Sequence, residues 1–595
     1  MLQTTALPDA AAIRRSASAD ERTFRSHDGA EIFYRAWPAL TAPKGAVLLF
    51  HRGHEHGGRM AHLVDELDMP DVAFYAWDAR GHGRSPGPRG HSPSFAASVR
   101  DIDCLVKEIG RVDGFEASDM AVVAQSVGAV LAATWVHDYA PPIRAMTLAS
   151  PAFDVKLYVP FARTGIAAWQ KIVGTFFVKS YVKAKYLTHD PERIASFEAD
   201  PLIARPIASN ILLELYEHAA RVVADARAIT VPTQLMISGS DWVVRHQPQH
   251  EFFVNLGATV KERHVLDGFF HDTLGEKQRA GAVAKVRDFL ASQFAAPAPR
   301  VDLRDADRSG YTRDESERLA TPLSPFSPKG AWWALNRAVI RAGALVSQGM
   351  KVGRETGFDS GATLDHVYEN RARGFSPLGR MVDRVFLEAI GWKGIRARKV
   401  MLEELIPAAV TRLKKEGRDV HVLDIAAGHG RYVLDALALC PDAPATVRLQ
   451  DYSDINVVAG NRMIAERGLA DRVVFARGDA FDGEALAARE PAPDLAIVSG
   501  LYELYGDNAL VGGSLGGLAR AMKPGSLLIY TNQPWHPQLE MIARSLTSHR
   551  GGDAWVMRRR TQGEMDQLVE AAGFRKRDQR IDRWGMFTVS VAERI

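Results

Sequence analysis

Three side chains in the first half of the chain have the types and order that nucleophilic catalysis needs. Ser126 stands in Met120-Ala-Val-Val-Ala-Gln-Ser126-Val-Gly-Ala-Val130, two apolar runs with the serine between them. The pattern predicts a buried strand, a sharp turn and a helix, with the hydroxyl lifted above the sheet at the turn. Such a turn brings strand and helix backbones together, so small residues must flank it; Ala124 and Gly128 supply them. A serine nucleophile needs a base within hydrogen-bond reach and an acid that orients the base. Asp241 follows the strand-like Thr233–Ser238, and His271 follows the strand-like Val260–Leu266. All three thus come just after predicted strands, in the order serine, acid, histidine. Asp272 is a poorer base at neutral pH than an imidazole, and His264 falls inside its strand. The tetrahedral intermediate of such a reaction needs two backbone donors. One is expected from the amide of Val127. The other is expected from His51-Arg-Gly-His-Glu-His-Gly-Gly-Arg59, the loop after the strand ending at Phe50. The three histidines of that loop lack the spacing of a zinc motif on a helix, so no metal is expected.

A chain of 595 residues is too long for one core, and two to four domains are expected. The runs Glu31–Trp37, Gly45–Phe50, Val72–Trp77 and Ala145–Ala149 alternate with helical stretches such as Phe95–Ile109 and Ala280–Phe294. This alternation predicts a mostly parallel, doubly wound α/β domain over residues 21–295, interrupted by a helical insertion at about 151–230. Residues 1–20 read as a disordered leader, and the Pro- and Ser-rich stretch 296–330 as a linker. Residues 331–418 read as helical. A second α/β alternation occupies 419–595, with strands near Val420–Ile425, Thr446–Asp451, Val473–Gly478, Leu495–Ser499, Ser526–Thr531 and Trp584–Ala592. The net charge of +3 gives no electrostatic footprint for nucleic acid. Two distant cysteines, Cys104 and Cys440, offer no disulfide framework, which fits a reducing compartment. The first residues lack an apolar signal core, and no run of 18 or more uncharged apolar residues occurs, so a cytoplasmic protein is expected.

The loop His51–Arg59, the stretch Asp78-Ala-Arg-Gly-His-Gly-Arg-Ser85, and Ser126, Asp241 and His271 together resemble the monoacylglycerol lipase and lysophospholipase branch of the α/β hydrolases, within the serine aminopeptidase-like family. The resemblance spans about residues 25–295. It implies hydrolysis of an acyl ester by a Ser126–His271–Asp241 triad, with Gly53 donating the second oxyanion amide and the insertion 151–230 serving as a lid over the acyl pocket. Arg52 and His54 replace glycines of the branch pattern, and Ala124 and Gln125 depart from it at the elbow. These departures bear on the shape of the oxyanion hole and keep a second reading open, in which one of the two halves, the hydrolase half first of all, has lost catalysis and become a binding or regulatory module. The first part of the lid mixes bulky apolar residues with Lys156, Lys171, Lys179, Lys183 and Lys185. That mixture suits peripheral contact with the inner face of a membrane, and equally an ordinary lid helix with a solvated lysine face.

In the second half, His421-Val-Leu-Asp-Ile-Ala-Ala-Gly-His-Gly-Arg431 is a strand followed by a glycine loop. A dinucleotide fingerprint would need a glycine at position 433, which is Val433. The order Asp424, Gly428, Gly430 instead resembles motif I of class I S-adenosylmethionine-dependent methyltransferases. That resemblance implies a Rossmann-like domain with a helical N-terminal extension, and S-adenosyl-L-methionine as cofactor. Asp424, Gly428 and Gly430 would hold its methionine end. Asp451, closing the next strand, would accept the ribose hydroxyls, and Asp479 and Ala480 would hold the adenine. Tyr502, Glu503, Tyr505, Trp535 and His536 follow the fourth and fifth strands and are expected to line the methyl-acceptor pocket. The sequence as a whole reads as two doubly wound α/β domains, a serine hydrolase fused to a methyltransferase, acting on small-molecule or lipid substrates.

Overall fold

The apolar runs at the centre of the first half become strands because each is short, β-rich and covered on both faces. In the computed structural model, which describes residues 14–180, 182–296 and 300–595, the chain divides into two compact units, 1–301 and 302–595. The first unit carries an eight-stranded sheet. Its strands are β1 (Asp20–Arg25), β2 (Glu31–Trp37), β3 (Gly45–Phe50), β4 (Val72–Trp77), β5 (Met120–Gln125), β6 (Ala145–Ala149), β7 (Thr233–Ser238) and β8 (Lys261–Leu266), in the spatial order β1-β2-β4-β3-β5-β6-β7-β8. From β4 to β8 all pairs are parallel. Every residue of β3 to β7 is buried, as strands with helices on both faces must be. Helices α1 (Phe95–Asp113) and α2 (Val127–Tyr139) pack on this sheet. Between β6 and β7 the lid contributes α3 (Ala162–Val173), α4 (Pro191–Ala199), α5 (Ser209–Ala224) and a small ribbon, Phe177–Lys179 against Pro206–Ala208. Helix α6 (Ala280–Ala295) closes the unit.

Two boundaries differ from the sequence expectation. Residues 1–13 of the expected leader lie outside the described residues, but residues 14–20 are ordered. Arg15 Nη2 donates to the carbonyls of Pro38 (2.6 Å) and Val72 (2.7 Å), and β1 starts at Asp20. The expected linker 296–330 is also too long. Residues 297–299 lie outside the described residues, whereas Ala306–Ser309 and Tyr311–Ala320 are helical and bonded into the second unit. Their polar residues find partners there: Asn508 N donates to Asp307 (2.9 Å), Arg558 to Thr312 (3.0 Å) and Arg559 to Glu315 (2.6 Å).

In the second unit β9 (His421–Asp424), β10 (Thr446–Asp451), β11 (Val473–Arg477), β12 (Leu495–Val498), β13 (Leu527–Asn532), β14 (Phe574–Ile581) and β15 (Thr588–Arg594) form one sheet in the order β11-β10-β9-β12-β13-β15-β14. The first five are parallel, and β15 and β14 close the sheet as an antiparallel pair. The sequence predicts only one closing strand; β14 reads as Phe-Arg-Lys-Arg-Asp-Gln-Arg-Ile, and such charge is what an edge strand carries. Ahead of the sheet come α7 (Pro328–Gly343), α8 (Gln348–Thr356), α9 (Gly361–Glu369), α10 (Pro377–Leu387) and α11 (Ile390–Lys415). The first four begin at Ser327, Ser347, Ser360 and Ser376, each accepting a backbone N–H three residues on. Two of these serines precede a proline at the first helical position, a strong local start signal. Helix α11 buries Leu402, Ile406, Val410 and Leu413 against the sheet. The helices before it form a cap whose core, with Phe358, Val367, Phe386 and Leu387, is shared with Trp392 of α11 and with Leu539, Ile542, Trp555 and Phe587. Among the described residues no helix is long and apolar enough to cross a membrane.

Candidate active sites

The turn after β5 holds Ser126 at φ +55° and ψ −114°, a conformation side chains rarely adopt. Strain of this kind typically costs about 1–3 kcal/mol and persists where packing enforces it. Packing does so here: a Cβ on Gly128 would lie 2.4 Å from His51 O and 2.6 Å from Phe50 O, so only glycine lets α2 start so close to β3. His271 Nδ1 lies 2.7 Å from Asp241 Oδ2. A carboxylate only accepts, so Nδ1 carries the proton and Nε2, 2.8 Å from Ser126 Oγ, is left as the acceptor. Asp241 is itself oriented by the amides of Val243 (2.7 Å) and Val244 (3.0 Å) on its other oxygen. Burial would raise its carboxyl, but the His271 ring and these amides hold it below the ordinary value. The sequence-predicted triad is thus one continuous hydrogen-bonded chain.

Val127 is the first residue of α2, so its amide has no partner within the helix. Gly53 stands beside it, close enough that an added Cβ would lie 3.0 Å from Val127 Cγ2. Both border, with Ser126 and His271, a cavity of about 430 Å³ whose walls include Leu131, Val155, Ile166, Ile211 and Leu215. A volume of that size suits a small amphipathic ligand.

The departures at the oxyanion loop and elbow have a common partner that sequence reasoning missed. Gln125 Nε2 donates to Asp272 Oδ1 at 2.8 Å, and Arg193 of lid helix α4 donates to Asp272 Oδ2 at 3.0 Å. Arg52 lies 3.6 Å from the same carboxylate and makes two bonds to Glu55, at 2.7 and 2.6 Å. Burial would raise the Asp272 carboxyl, yet Arg193 and Arg52 drive it well below the usual range. The residue next to the base therefore ties elbow, oxyanion loop and lid together. The loop histidines extend the ties. His54, at φ +70°, donates from Nδ1 to Ala204 O (2.6 Å), His56 bonds Asp200 (2.9 Å), and His51 bridges Arg52 O (2.8 Å) and Ala79 N (3.0 Å). Asp272→Asn removes the countercharge of buried Arg52 and of half-buried Arg193. Urea unfolding is expected to register a loss of about 3 kcal/mol, the cost of breaking a buried ion pair. An unchanged first transition would refute the network's structural weight.

In the second unit, the loop after β9 turns through Gly428 (φ +59°) and Gly430 (φ +77°). Gly428 N donates to Asp451 Oδ2 at 3.0 Å, and Asp451 Oδ1 accepts from Ser453 N (2.9 Å) and Asn456 Nδ2 (3.0 Å). Asp451 thus sets the glycine loop at the carboxyl end of the sheet, where open α/β sheets bind ligands. Asp479 is exposed at the end of the neighbouring strand and accepts from Phe481 N at 2.8 Å. Ala480 packs its methyl into the core, and its carbonyl accepts from Ser514 Oγ at 2.6 Å. Asp424 differs from expectation. It is buried beneath the loop, accepting from Ala426 N (3.1 Å) and the Tyr432 hydroxyl, so it supports the loop instead of facing a ligand.

Burial, with the Asp451 charge adding, pushes the Asp424 carboxyl from 3.8 up to about 7. Its folded value lies above its unfolded one, so between these two values the native unit keeps a proton that the unfolded chain has released. Stability from this group is therefore full below pH 3.8, falls as pH rises towards 7, and is flat above. Asp424→Asn can still accept from Ala426 N on Oδ1 and can donate from Nδ2 to the Tyr432 oxygen, without the charge. It is expected to lack that fall and to resist urea better than the parent at pH 8; a variant with the parent's pH slope would contradict this.

Beside the loop lies a second cavity of about 270 Å³. Its walls come mainly from the cap and from α11, with Ile340, Phe358, Phe386 and Trp392, joined by Trp555 and Met557. Its polar end is Glu503, Gln533 and His536 from the loops after β12 and β13, with Arg398 from α11. Glu503 Oε1 accepts from Thr531 at 2.6 Å and lies 3.7 Å from Arg398 Nη1. Its Oε2, like Arg398 Nε and Gln533 Nε2, is buried without a partner. Unsatisfied buried groups are costly, and three converging on one cavity mark a place for a ligand's polar head. His536 accepts from Gln538 N on Nδ1 (3.0 Å), and burial lowers its pKa to about 4, so it is a neutral Nε2 donor at pH 7. Arg398 also borders the narrow space, about 40 Å³, between the glycine loop and α9.

Only two of the five expected acceptor-pocket residues, Glu503 and His536, line this cavity. Tyr502 is buried in the sheet's other core, bonded to Ser514 (2.9 Å). Tyr505 packs on Phe481 outside the cavity, with ring centres 4.7 Å apart, and Trp535 is not among the lining residues. The reason is the single 3₁₀ turn Tyr502–Leu504, which sends successive side chains about 120° apart.

Residues 286–594 match the family model described as "Putative methyltransferase". Over 575 residues the chain is 54% identical to the uncharacterized protein YnbC of Escherichia coli K12, covering 96% of this chain and 98% of that protein. The chain belongs to this methyltransferase family. Residues 41–278 match the model described as "Serine aminopeptidase, S33". The monoacylglycerol lipase of Mycolicibacterium smegmatis is 25% identical over 288 residues, 47% of this chain and 99% of that protein. The solved monoacylglycerol lipase of Paleococcus ferrophilus aligns with a TM-score of 0.41 and 22% identity, over 44% of this chain and 99% of that one. The first unit has the α/β-hydrolase fold, and the second is the methyltransferase-family unit fused to it.

Proposed function

We propose that the chain is a bifunctional enzyme, a serine hydrolase of acyl esters of the monoacylglycerol or lysophospholipid kind joined to an S-adenosylmethionine-dependent methyltransferase with a lipid-related acceptor. The observation that carries the first activity is the Ser126–His271–Asp241 chain opening on an apolar cavity. His271 takes the Ser126 proton as Oγ attacks the ester carbonyl, and the amides of Val127 and Gly53 receive the oxyanion. His271 then returns the proton to the leaving alcohol, and water repeats the cycle to free the acid. The Asp272 network accommodates Arg52 and Gln125 without disturbing this chain, which favours an active hydrolase over a binding module. Exposed Tyr158, Phe161, Trp169 and Ile172, with Lys171 and Lys179, support peripheral contact of the lid with a membrane, at its cytoplasmic face.

For the second activity, the residues fit the cofactor: two glycines open the loop and Asp451 closes it. The bound cofactor would supply an electrophilic methyl group. Its methionine end would occupy the space under α9, and its adenosine would extend past exposed Tyr452 and Asp479. Glu503 Oε2 is free to take the proton of the acceptor, Arg398 and His536 to orient its head, and the aromatic walls to exclude water. Incubating the full chain with monoacylglycerol, lysophospholipid and methyl-labelled S-adenosylmethionine is expected to release fatty acid and to label a lipid extract. Neither product appearing would overturn the reading.

A further inference from the structure

Two cap helices leave apolar faces uncovered. In α7, Trp332, Leu335 and Val339 recur at helical spacing, and in α10 Leu378, Met381 and Val385 do the same; each is more than half exposed. Exposed Leu345 and Phe375 join the two helices. Phe375 N bonds Val346 O at 3.2 Å, and a Cβ on Gly343 would lie 3.8 Å from Val382 Cγ1, so the elements are neighbours. Scattered exposed hydrophobics are ordinary, but eight on two neighbouring helices and the segments that adjoin them mark an interaction surface.

The charge around them is one-sided. Between residues 328 and 388, eight exposed side chains are Lys or Arg and two, Glu355 and Glu388, are acidic; Lys329 pairs with Glu540 and Arg373 with Glu369, which leaves Arg337, Arg341, Arg354, Arg371, Arg380 and Arg384 to set the sign of this region. On α10, Arg384 flanks the apolar stripe and Arg380 lies one step further round, whereas Arg337 and Arg341 lie on the side of α7 away from its stripe, with Arg337 bonded to Arg544 O at 2.9 Å. Apolar stripes with basic neighbours match an anionic bilayer, whose headgroups take the cations while the acyl boundary takes the apolar side chains. The methyltransferase cavity is continuous with this face: Ile340 and Val385 border it, and Val385 is 68% exposed, so the mouth opens within the patch.

We propose that this face of the cap docks the second unit on an anionic lipid surface, independently of the hydrolase lid. On the methyl-transfer reading, on which this clause alone rests, docking sets the cavity mouth against the acyl region, from which an amphipathic acceptor enters with its head towards Arg398 and Glu503 and its tail along Phe386 and Trp392.

The test is co-flotation of the full chain with vesicles of pure phosphatidylglycerol and of pure phosphatidylcholine. The parent carries Phe161→Glu and Ile172→Glu, which silence the lid. It is expected to float with phosphatidylglycerol at low salt and at least about tenfold less with phosphatidylcholine. Adding Leu378→Glu with Met381→Glu, or Arg380→Glu with Arg384→Glu, should cut flotation more than about tenfold. All four sites are exposed, so binding of S-adenosylhomocysteine by calorimetry should be unchanged. A parent that does not float, equal flotation with both vesicles, or α10 variants that float like the parent would overturn docking. Flotation that follows the prediction in a chain that does not bind S-adenosylhomocysteine would leave docking standing and remove the methyl-transfer reading.

Discussion

Replacing Ser126 with alanine is expected to remove ester hydrolysis, lowering kcat by about 10⁴ or more, while KM changes little. The expectation follows from the geometry. His271 Nε2 faces only the serine oxygen, at 2.8 Å, and Asp241 holds the opposite nitrogen. Asp272, the neighbouring carboxylate, is committed to Gln125 and Arg193 and offers no substitute nucleophile. Alanine relieves nothing at the elbow, because the strained backbone is enforced by the fit of Gly128 against β3 and not by the serine side chain. The variant should therefore fold as the parent does. A fluorophosphonate probe that labels the parent should not label Ser126→Ala. Equal labelling, or hydrolysis within tenfold of the parent, would mean that another residue carries the chemistry.

The corresponding change in the second unit is Gly428→Val, expected to weaken S-adenosylhomocysteine more than about a hundredfold. Gly428 has φ +59°, which a β-branched residue adopts only at high cost. The loop cannot yield cheaply, since Gly428 N is bonded to Asp451 and the backbone of α9 stands 3.7 Å from where the new Cβ would be. The valine methyls would fill the narrow space between loop and α9. Asp451→Asn, which keeps the shape and loses the charge, should weaken binding less. Calorimetry with each variant measures the effect. Hydrolysis by the first unit should be untouched, because no residue of the glycine loop contributes to its cavity. Wild-type affinity in Gly428→Val would sink the cofactor site.

Much of the fold was legible because doubly wound domains write themselves locally. Short apolar runs such as Gly45–Phe50 and Leu495–Val498 are buried on both faces and carry no alternative reading as surface segments. What escaped was polar or tied by distant partners. Charged β14 is an edge strand, and residues 306–320 look like a linker until Arg558 and Arg559 supply partners more than two hundred positions away. The Asp272 network escaped for the same reason. Arg52, Gln125 and Arg193 signal nothing individually, and at the elbow and oxyanion loop they read only as departures from a pattern.

By itself the sequence determined two α/β units, their candidate site motifs and their order along the chain. A nucleophile elbow, a strand-end acid and base, and a glycine loop are each set by a few adjacent residues whose backbone requirements are local. The tertiary structure alone decided which side chains face a cavity. It turned Tyr502 into the core and left Glu503 with a free oxygen, sank Asp424 beneath its loop, and brought Arg398 and the cap's aromatic residues to one cavity. A cavity is the space between elements, and its lining depends on how helices far apart in sequence pack. No local pattern encodes that packing.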